Sequence, residues 1–269
     1  MAQTDRVFAG SIPALYDRYL GPLIFAPYAE DLAMRVAAAE PRRVLEIAAG
    51  TGIATQAMAA RLAPETEIVA TDLNQPMLDF AAAKPGLARV AWRPADAQSL
   101  PFPDASFDVV ACQFGAMFFP DRIGAYREAL RVLRPGGCFL LSVWDRIEEN
   151  EFADVATTAV ASLFPADPPS FLARTPHGYH DLATIRADLA AAGFVCIQSE
   201  TIAHRSRAAS ARDPAIGFCQ GTPLRNEIEA RDPARLNEAT EAAAAALAAR
   251  FGSGAIEGKI QAHVVVATR

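Results

Sequence analysis

Apolar positions along the chain follow two periods. Short runs rich in Val, Ile and Phe near residues 44–47, 68–71, 89–93, 107–112 and 138–143 predict buried strands. Between them the apolar positions recur every three or four residues. Ile53, Ala57, Met58 and Leu62 share a helical face after the first run, a helix is predicted over 75–83, and another over 121–133 is ended by Pro135-Gly136-Gly137. Repeated strand–helix units imply a parallel sheet with helices on both faces. Ligands on such sheets bind at the carboxyl ends of the strands.

The flanks read differently. Residues 11–39 look helical, with an apolar face of Tyr16, Tyr19, Leu20, Leu23, Ile24 and Phe25, and with breaks at Gly21-Pro22 and Pro27. After residue 145 a helix over 152–164 leads into a stretch holding Pro165, Pro168, Pro169 and Pro176, longer than a simple crossover and suggestive of a lid. Asp181 caps a helix through Ala192 that Gly193 ends. A strand over 194–202, a mostly helical second insertion with an alanine-rich part at 241–250, and a strand over 261–267 complete the chain. With no repeat and no linker, the organisation reads as one domain: a leading helical segment (8–40), a core (41–145, 181–202, 259–269) and a helical cap from two insertions (146–180, 203–258).

The most informative stretch is the first strand together with the turn and helix after it. The strand runs into Ala48-Ala49-Gly50-Thr51-Gly52, five residues with small side chains or none, and then into a helix. That geometry brings backbone N–H groups and the positive end of a helix up to a ligand. Gly50 and Gly52 would admit a ligand where a Cβ would collide with it. Twenty residues past Gly52, the second strand ends in Asp72. A carboxylate there can accept from both hydroxyls of a ribose, or cap the following helix, or do both.

A nicotinamide or flavin is disfavoured by two features. The fingerprint G-x-G-x-x-G needs a third glycine, and counting from Gly50 that position is Thr55. Glu46 also sits at the turn, where a carboxylate would repel a pyrophosphate but suit an ammonium group.

The motifs E-x-x-x-G-x-G at Glu46, Gly50 and Gly52, then Asp72-Leu73-Asn74 with Met77, then Asp96-Ala97-Gln98 followed by LPFPDASFDVV, then RVLRPGGCFLLSVW, occur in this order. Together they resemble the class I S-adenosylmethionine-dependent methyltransferases, in particular the ubiquinone/menaquinone-type small-molecule group. The resemblance covers residues 16–144 and the closing strand. It departs at Ala48, where the family's turn has a glycine.

The resemblance implies an α/β fold: a Rossmann-like, seven-stranded, mostly parallel sheet with helices on both faces and a last strand that runs antiparallel between strands five and six. It implies S-adenosyl-L-methionine as cofactor and a small-molecule methyl acceptor. Asp72 would hold the ribose, Asp96 would accept from the adenine amine, the Ala97 N–H would donate to the neighbouring ring nitrogen, and Leu73 and Met77 would sandwich the ring. Glu46 would face the amino group. Ala48, Gly50, Thr51, Gly52, Gln98, Gln113 and Phe114 would line the rest. Tyr16 would reach the methionine carboxylate or else serve as an apolar core residue.

Methyl transfer is an in-line displacement, so aligning the reactants and excluding water can supply much of the rate. The segment after the fourth strand, Gln113 to Phe119, is rich in aromatics. Phe114 and Tyr28 could stabilise a cation through their ring faces, and one of Phe118 and Phe119 is expected in the core. His177, His180 and His204 read as surface or capping histidines. No residue is singled out as catalytic.

Composition bounds the rest. The chain has 269 residues, a net charge of −6 and 21% charged residues. The charge argues against nucleic acid as a partner. No apolar run approaches the roughly 20 residues of a membrane helix, and the opening MAQTDRVF does not read as a secretory signal. Cys112, Cys138, Cys196 and Cys219 are scattered, three of them in predicted strands, and read as free buried thiols rather than metal ligands. A cytoplasmic protein, able to dimerise, fits these features. The competing reading is a binding module that keeps the cofactor and regulates or scaffolds a partner without catalysis.

Overall fold

The computed structural model describes residue 5 and residues 7–269. The reading of the amino-terminal residues as no secretory signal lies partly outside the described residues. In chain order the elements are α1 (Ile12–Leu15), a wide π-type stretch (Tyr16–Phe25), α2 (Ala26–Ala38), β1 (Arg43–Ile47), α3 (Ile53–Arg61), β2 (Glu67–Asp72), α4 (Gln75–Ala82), β3 (Val90–Pro94), β4 (Phe107–Gln113), α5 (Arg122–Val132) and β5 (Leu133–Trp144). Next come α6 (Glu151–Ser162), α7 (Phe171–Arg174), α8 (Leu182–Ala192), β6 (Cys196–Ala208), α9 (Arg212–Gln220), α10 (Leu224–Arg231), α11 (Leu236–Phe251) and β7 (Ile256–Thr268).

The seven strands form one sheet in the order β3-β2-β1-β4-β5-β7-β6. β1 pairs in parallel with β2 and with β4, β2 with β3, and β4 with β5. β7 lies between β5 and β6 and runs antiparallel to β5. Asp145 N donates to Gln261 O at one end, and Gly136 and Arg269 bond at the other. The expected fold class holds.

Two compact units divide the chain. One contains Ala26–Val143, His180–Ile202 and Ala262–Arg269. Its core includes Leu32, Val36, Val44, Met58, Ile68, Val109 and Leu140, where α2 and α3 cover the parallel strands. Burial of the continuous apolar runs in β1 and β4 is what a parallel sheet covered on both faces demands. Arg89 closes the carboxyl end of α3, its guanidinium donating to the carbonyls of Ala59, Leu62, Ala63, Pro64 and Thr66.

The other unit contains the described residues up to Phe25, Trp144–Tyr179 and Ala203–Gln261. Helices α6, α9 and α11 pack together, with Phe152 edge-on to Phe251. Asp5 is buried and ion-paired to Arg174, which also holds Glu227. Glu227 in turn accepts from the N–H groups of Ser170 and Phe171 at the start of α7.

Several expectations are corrected. Gly21-Pro22 and Pro27 do not break the leading segment. Pro22 lies inside the wide π-type stretch, whose widened turn relieves the clash of its ring with the carbonyl of the preceding turn, and Pro27 sits in the first turn of α2. Strand β5 begins at Leu133, ahead of the prolyl-glycyl segment expected to precede it. The register shifts between Phe107 and Val109, so Pro135-Gly136-Gly137 forms an irregularity in the ladder rather than a terminator. β6 and β7 extend into the region read as a helical insertion. Cys196 is exposed, while Cys112 and Cys219 are buried, and burial pushes the pKa of each of these two thiols up to about 12. His177 is buried, with Nδ1 2.8 Å from Asp145 O, not a surface or capping residue.

Candidate functional site

The carboxyl ends of β1, β2, β3 and β4 are side by side in the sheet, and the predicted motifs end there. The chain leaves β1 at Ile47 and turns through Ala48, Gly50 and Gly52, all with positive φ (54°, 57° and 77°). Glycine adopts this conformation freely, whereas a residue with a Cβ pays about 1 kcal/mol or more. Ala48 therefore holds a strained position. Its Cβ is accommodated because residue 115 is glycine: a Cβ added there would collide with that of Ala48.

The two glycines of the turn do different work. A Cβ added at Gly50 would meet nothing within 4 Å, so its surface is open to a ligand. At Gly52 it would sit 3.0 Å from both Ala81 Cβ and the Trp92 ring. Gly52 thus serves close packing of α3 against α4 and β3, and the expectation that it admits a ligand is corrected.

Asp72 ties the turn to the second strand. Its Oδ2 accepts from Gly50 N at 2.8 Å, and its Oδ1 accepts from Asn74 N at 2.8 Å and Asn74 Nδ2 at 3.3 Å. The carboxyl is buried, and burial raises its pKa against the pull of these donors. The N-cap position of α4 is Asn74, not Asp72. Ala95 N donates to Asp72 O, which links the loop bearing Asp96 to the same edge. Gly50, Asp72 and Asp96 are therefore brought together.

Beyond β3, Asp96 opens a tight turn closed by Ser99 N to Asp96 O. Ala97 is buried, Met77 is 3% exposed, and Leu73 is 51% exposed, an uncovered apolar side chain beside Asp72. At the end of β4, Gln113 is half-buried and Phe114 is buried with φ 52°. Ala48 and Phe114 are thus two non-glycine residues held in the left-handed region at neighbouring strand ends, the kind of stored strain that clusters at functional sites. Tyr28 meets Phe114 edge-on at 5.3 Å and donates its hydroxyl to Ile202 O. Its ring is wholly buried and serves to hold Phe114. Phe119 is buried and Phe118 half-buried.

Glu46 lies under the turn, 1% exposed, and accepts from Thr55 Oγ1 at 2.5 Å. Burial pushes its pKa up to about 8, with the Asp72 charge adding to the rise and Thr55 opposing it. Thr51 Oγ1 is buried and finds no hydrogen-bond partner among the described residues. Tyr16 belongs to the other unit, where it stacks on Phe25 at 4.8 Å and meets Phe8 edge-on.

Sequence reasoning passed over Thr55, which reads there only as a missing glycine. Its signal was positional, because the third residue of the helix after a strand-borne Glu faces back toward that strand. It also passed over Gly115, Asp121, Glu128 and Arg131. Leu100 N donates to Glu128, and Arg131 holds the carbonyls of Leu100 and Phe102, so α5 fixes the loop that carries Asp96.

Residues 45–141 match the model of a family described as a methyltransferase domain. The match takes in the first five strands of the sheet up to the middle of β5. All of the candidate cofactor residues from Glu46 to Phe114 fall within it. The ubiquinone/menaquinone biosynthesis C-methyltransferase of Ectopseudomonas mendocina is 36% identical over 165 residues, which is 56% of this chain and 64% of the relative. The demethylmenaquinone methyltransferase of Deinococcus radiodurans is 46% identical over 114 residues, 40% of this chain and 47% of that protein. The chain thus spans about half to two thirds of the length of these curated relatives.

Among solved structures, phosphoethanolamine N-methyltransferase 2 of Haemonchus contortus, in complex with phosphomonomethylethanolamine and S-adenosylhomocysteine, shares the fold. Its TM-score is 0.61 at 16% identity, covering 100% of this chain and 61% of that one.

Proposed function

We propose that the chain is a methyltransferase that uses S-adenosyl-L-methionine and methylates a small molecule of the quinol or phenol class. One observation carries this reading. Within a stretch of the methyltransferase-domain family, a turn with an open Gly50, the Asp72 carboxylate and the Asp96 loop converge at one edge of a parallel sheet.

The residues present fit the cofactor. The open face of Gly50 leaves room where a Cβ would stand, Thr51 offers an unused buried hydroxyl, and Leu73 offers an uncovered apolar surface. Asp72 has acceptor capacity left for ribose hydroxyls beyond its backbone bonds. Asp96 supplies an acceptor for an exocyclic amine, and the strained Ala48 and Phe114 bring backbone to the methionine part. Glu46, buried beneath the turn, would be the carboxyl toward the cofactor's ammonium group.

When bound, the cofactor supplies a methyl group on a positively charged sulfur, which an acceptor nucleophile displaces in line. The chain's own part is alignment and exclusion of water. The name of the Ectopseudomonas relative, a C-methyltransferase, supports carbon as the acceptor atom.

Calorimetric titration of the full chain with S-adenosylhomocysteine tests the proposal. Binding at micromolar protein is expected, and Asp72→Ala should lose most of the affinity. Absence of heat in the unaltered chain would refute the reading. Turnover of the methyl donor with a panel of quinols and phenols separates an enzyme from a binding module.

A further inference from the structure

Gln98 bonds through both its backbone and its side chain to two separate segments. Its backbone N donates to Asp96 Oδ1 at 2.9 Å, an ordinary Asx turn. Its side-chain amide does more. Nε2 lies 3.1 Å from Asp96 Oδ1 and 3.2 Å from Oδ2, straddling the carboxylate, while Oε1 accepts from Asp121 N at 3.0 Å. Asp121 is the N-cap of α5, its carboxylate accepting from Gly124 N. The partners fix the orientation of the amide, because the nitrogen must face the carboxylate and the oxygen must face the N–H. A side-chain amide offers donor and acceptor in one uncharged planar group.

Two segments are joined by this amide. One is the loop with Asp96, clamped along α5 by Glu128 and Arg131. The other is residues 114–121, which leaves β4 at the strained Phe114 and ends at Asp121.

We infer that Gln98 is a positioning residue that aims the Asp96 carboxylate at the exocyclic amine of the cofactor's purine and couples purine binding to the segment after β4. The inference rests on the methyltransferase reading and assigns Gln98 an action through Asp96 rather than a contact of its own. Nε2 occupies one side of both carboxylate oxygens and leaves the remaining lone pairs pointed in a fixed direction. A 6-amino purine donates to them. A 6-oxo purine presents an oxygen and is repelled, since a site built to receive a donor discriminates steeply against an analogue that lacks it.

The test uses the full chain and two ligands, S-adenosylhomocysteine and S-inosylhomocysteine. The unaltered protein is expected to prefer the adenosine form by about 100-fold. Gln98→Leu should bring that preference below about tenfold, because a freed carboxylate rotates and forfeits aim. Gln98→Glu, which keeps length and volume but sets carboxylate against carboxylate, should do the same at pH 7.

Hydrogen exchange gives a second readout. Binding of S-adenosylhomocysteine should slow exchange at the Asp121 amide in the unaltered protein and leave it unchanged in Gln98→Leu, with protection at Gly50 retained in both. If Gln98→Leu or Gln98→Glu weakens both ligands equally and keeps the preference, Gln98 is only a structural brace and the inference is overturned. An unaltered protein that binds neither ligand overturns the methyltransferase reading as well, an outcome distinct from loss of preference alone.

Discussion

The buried carboxyl of Glu46 makes the stability of the protein depend on pH in a direction opposite to that of most acidic residues. Its pKa rises from the ordinary 4.5 to about 8, chiefly through burial. A group whose proton is held more tightly in the folded state than in the unfolded one favours folding most at low pH. Below pH 4.5 both states are protonated and the group costs nothing. Between 4.5 and about 8 the unfolded chain releases the proton and the folded one retains it, so stability falls as pH rises. Above about 8 both are ionised and the loss is complete.

One pH unit in that window corresponds to about 1.4 kcal/mol, so the whole window amounts to about 5 kcal/mol as a ceiling. Asp72, whose pKa burial also raises, acts in the same direction and reinforces the slope. The perturbation is Glu46→Gln, which keeps shape and can still accept from Thr55 but carries no titratable proton. The assay is urea denaturation of both proteins at about pH 5, 6, 7 and 8, read as midpoints at constant m. The slope of stability against pH should be shallower in Glu46→Gln by up to about 1.4 kcal/mol per pH unit. Parallel slopes would refute the reasoning, because they would mean that Glu46 titrates alike in the folded and unfolded states.

The turn glycines give a contrasting pair. Gly52→Ala should cost about 2–3 kcal/mol of stability, from φ strain plus the clash with Ala81 and Trp92. Gly50→Ala should cost about 1 kcal/mol, from strain alone, yet weaken S-adenosylhomocysteine binding more strongly. Thermal unfolding and titration separate the two, and equal binding losses would undo the distinction. Arg89→Ala should destabilise by about 1–2 kcal/mol, since the carbonyls at the end of α3 lose a charged donor. A denaturation midpoint within error of the parent would count against that role. In the other unit, Arg174→Met should cost about 3 kcal/mol because it removes the charged partner of the buried Asp5 carboxylate and leaves that charge uncompensated. The loss should shrink in an Asp5→Asn background, and a full loss there would exclude pairing as the cause.

Much of the sheet was legible from the sequence, because each strand of the parallel core is a short apolar run between turn residues. α8 was legible to the residue, since Asp181 accepts from Ala183 and Thr184 N–H groups and Gly193 ends the helix at φ 110°. The full lengths of β6 and β7 were not. β6 is largely exposed and charged, so hydrophobic period says little about where it stops. Pro22 misled because the π-type stretch relieves the steric clash by which a proline breaks a helix of ordinary pitch.

At the site, the sequence determined which residues meet. Strand ends carrying Gly50, Asp72, Asp96 and Gln113 must share one edge once the sheet is parallel and its strand order reverses between β1 and β4. The tertiary structure alone decided what each does. Gly52 is spent on packing and Gly50 is left open. Ala48 is tolerated because Gly115 vacates the space opposite. Glu46 finds Thr55, and Gln98 bridges Asp96 to α5. The reason is physical: periodicity and motif spacing report which side of an element is buried, whereas a hydrogen-bond partner or a neighbouring Cβ comes from elements distant in the chain, whose approach is fixed only by packing.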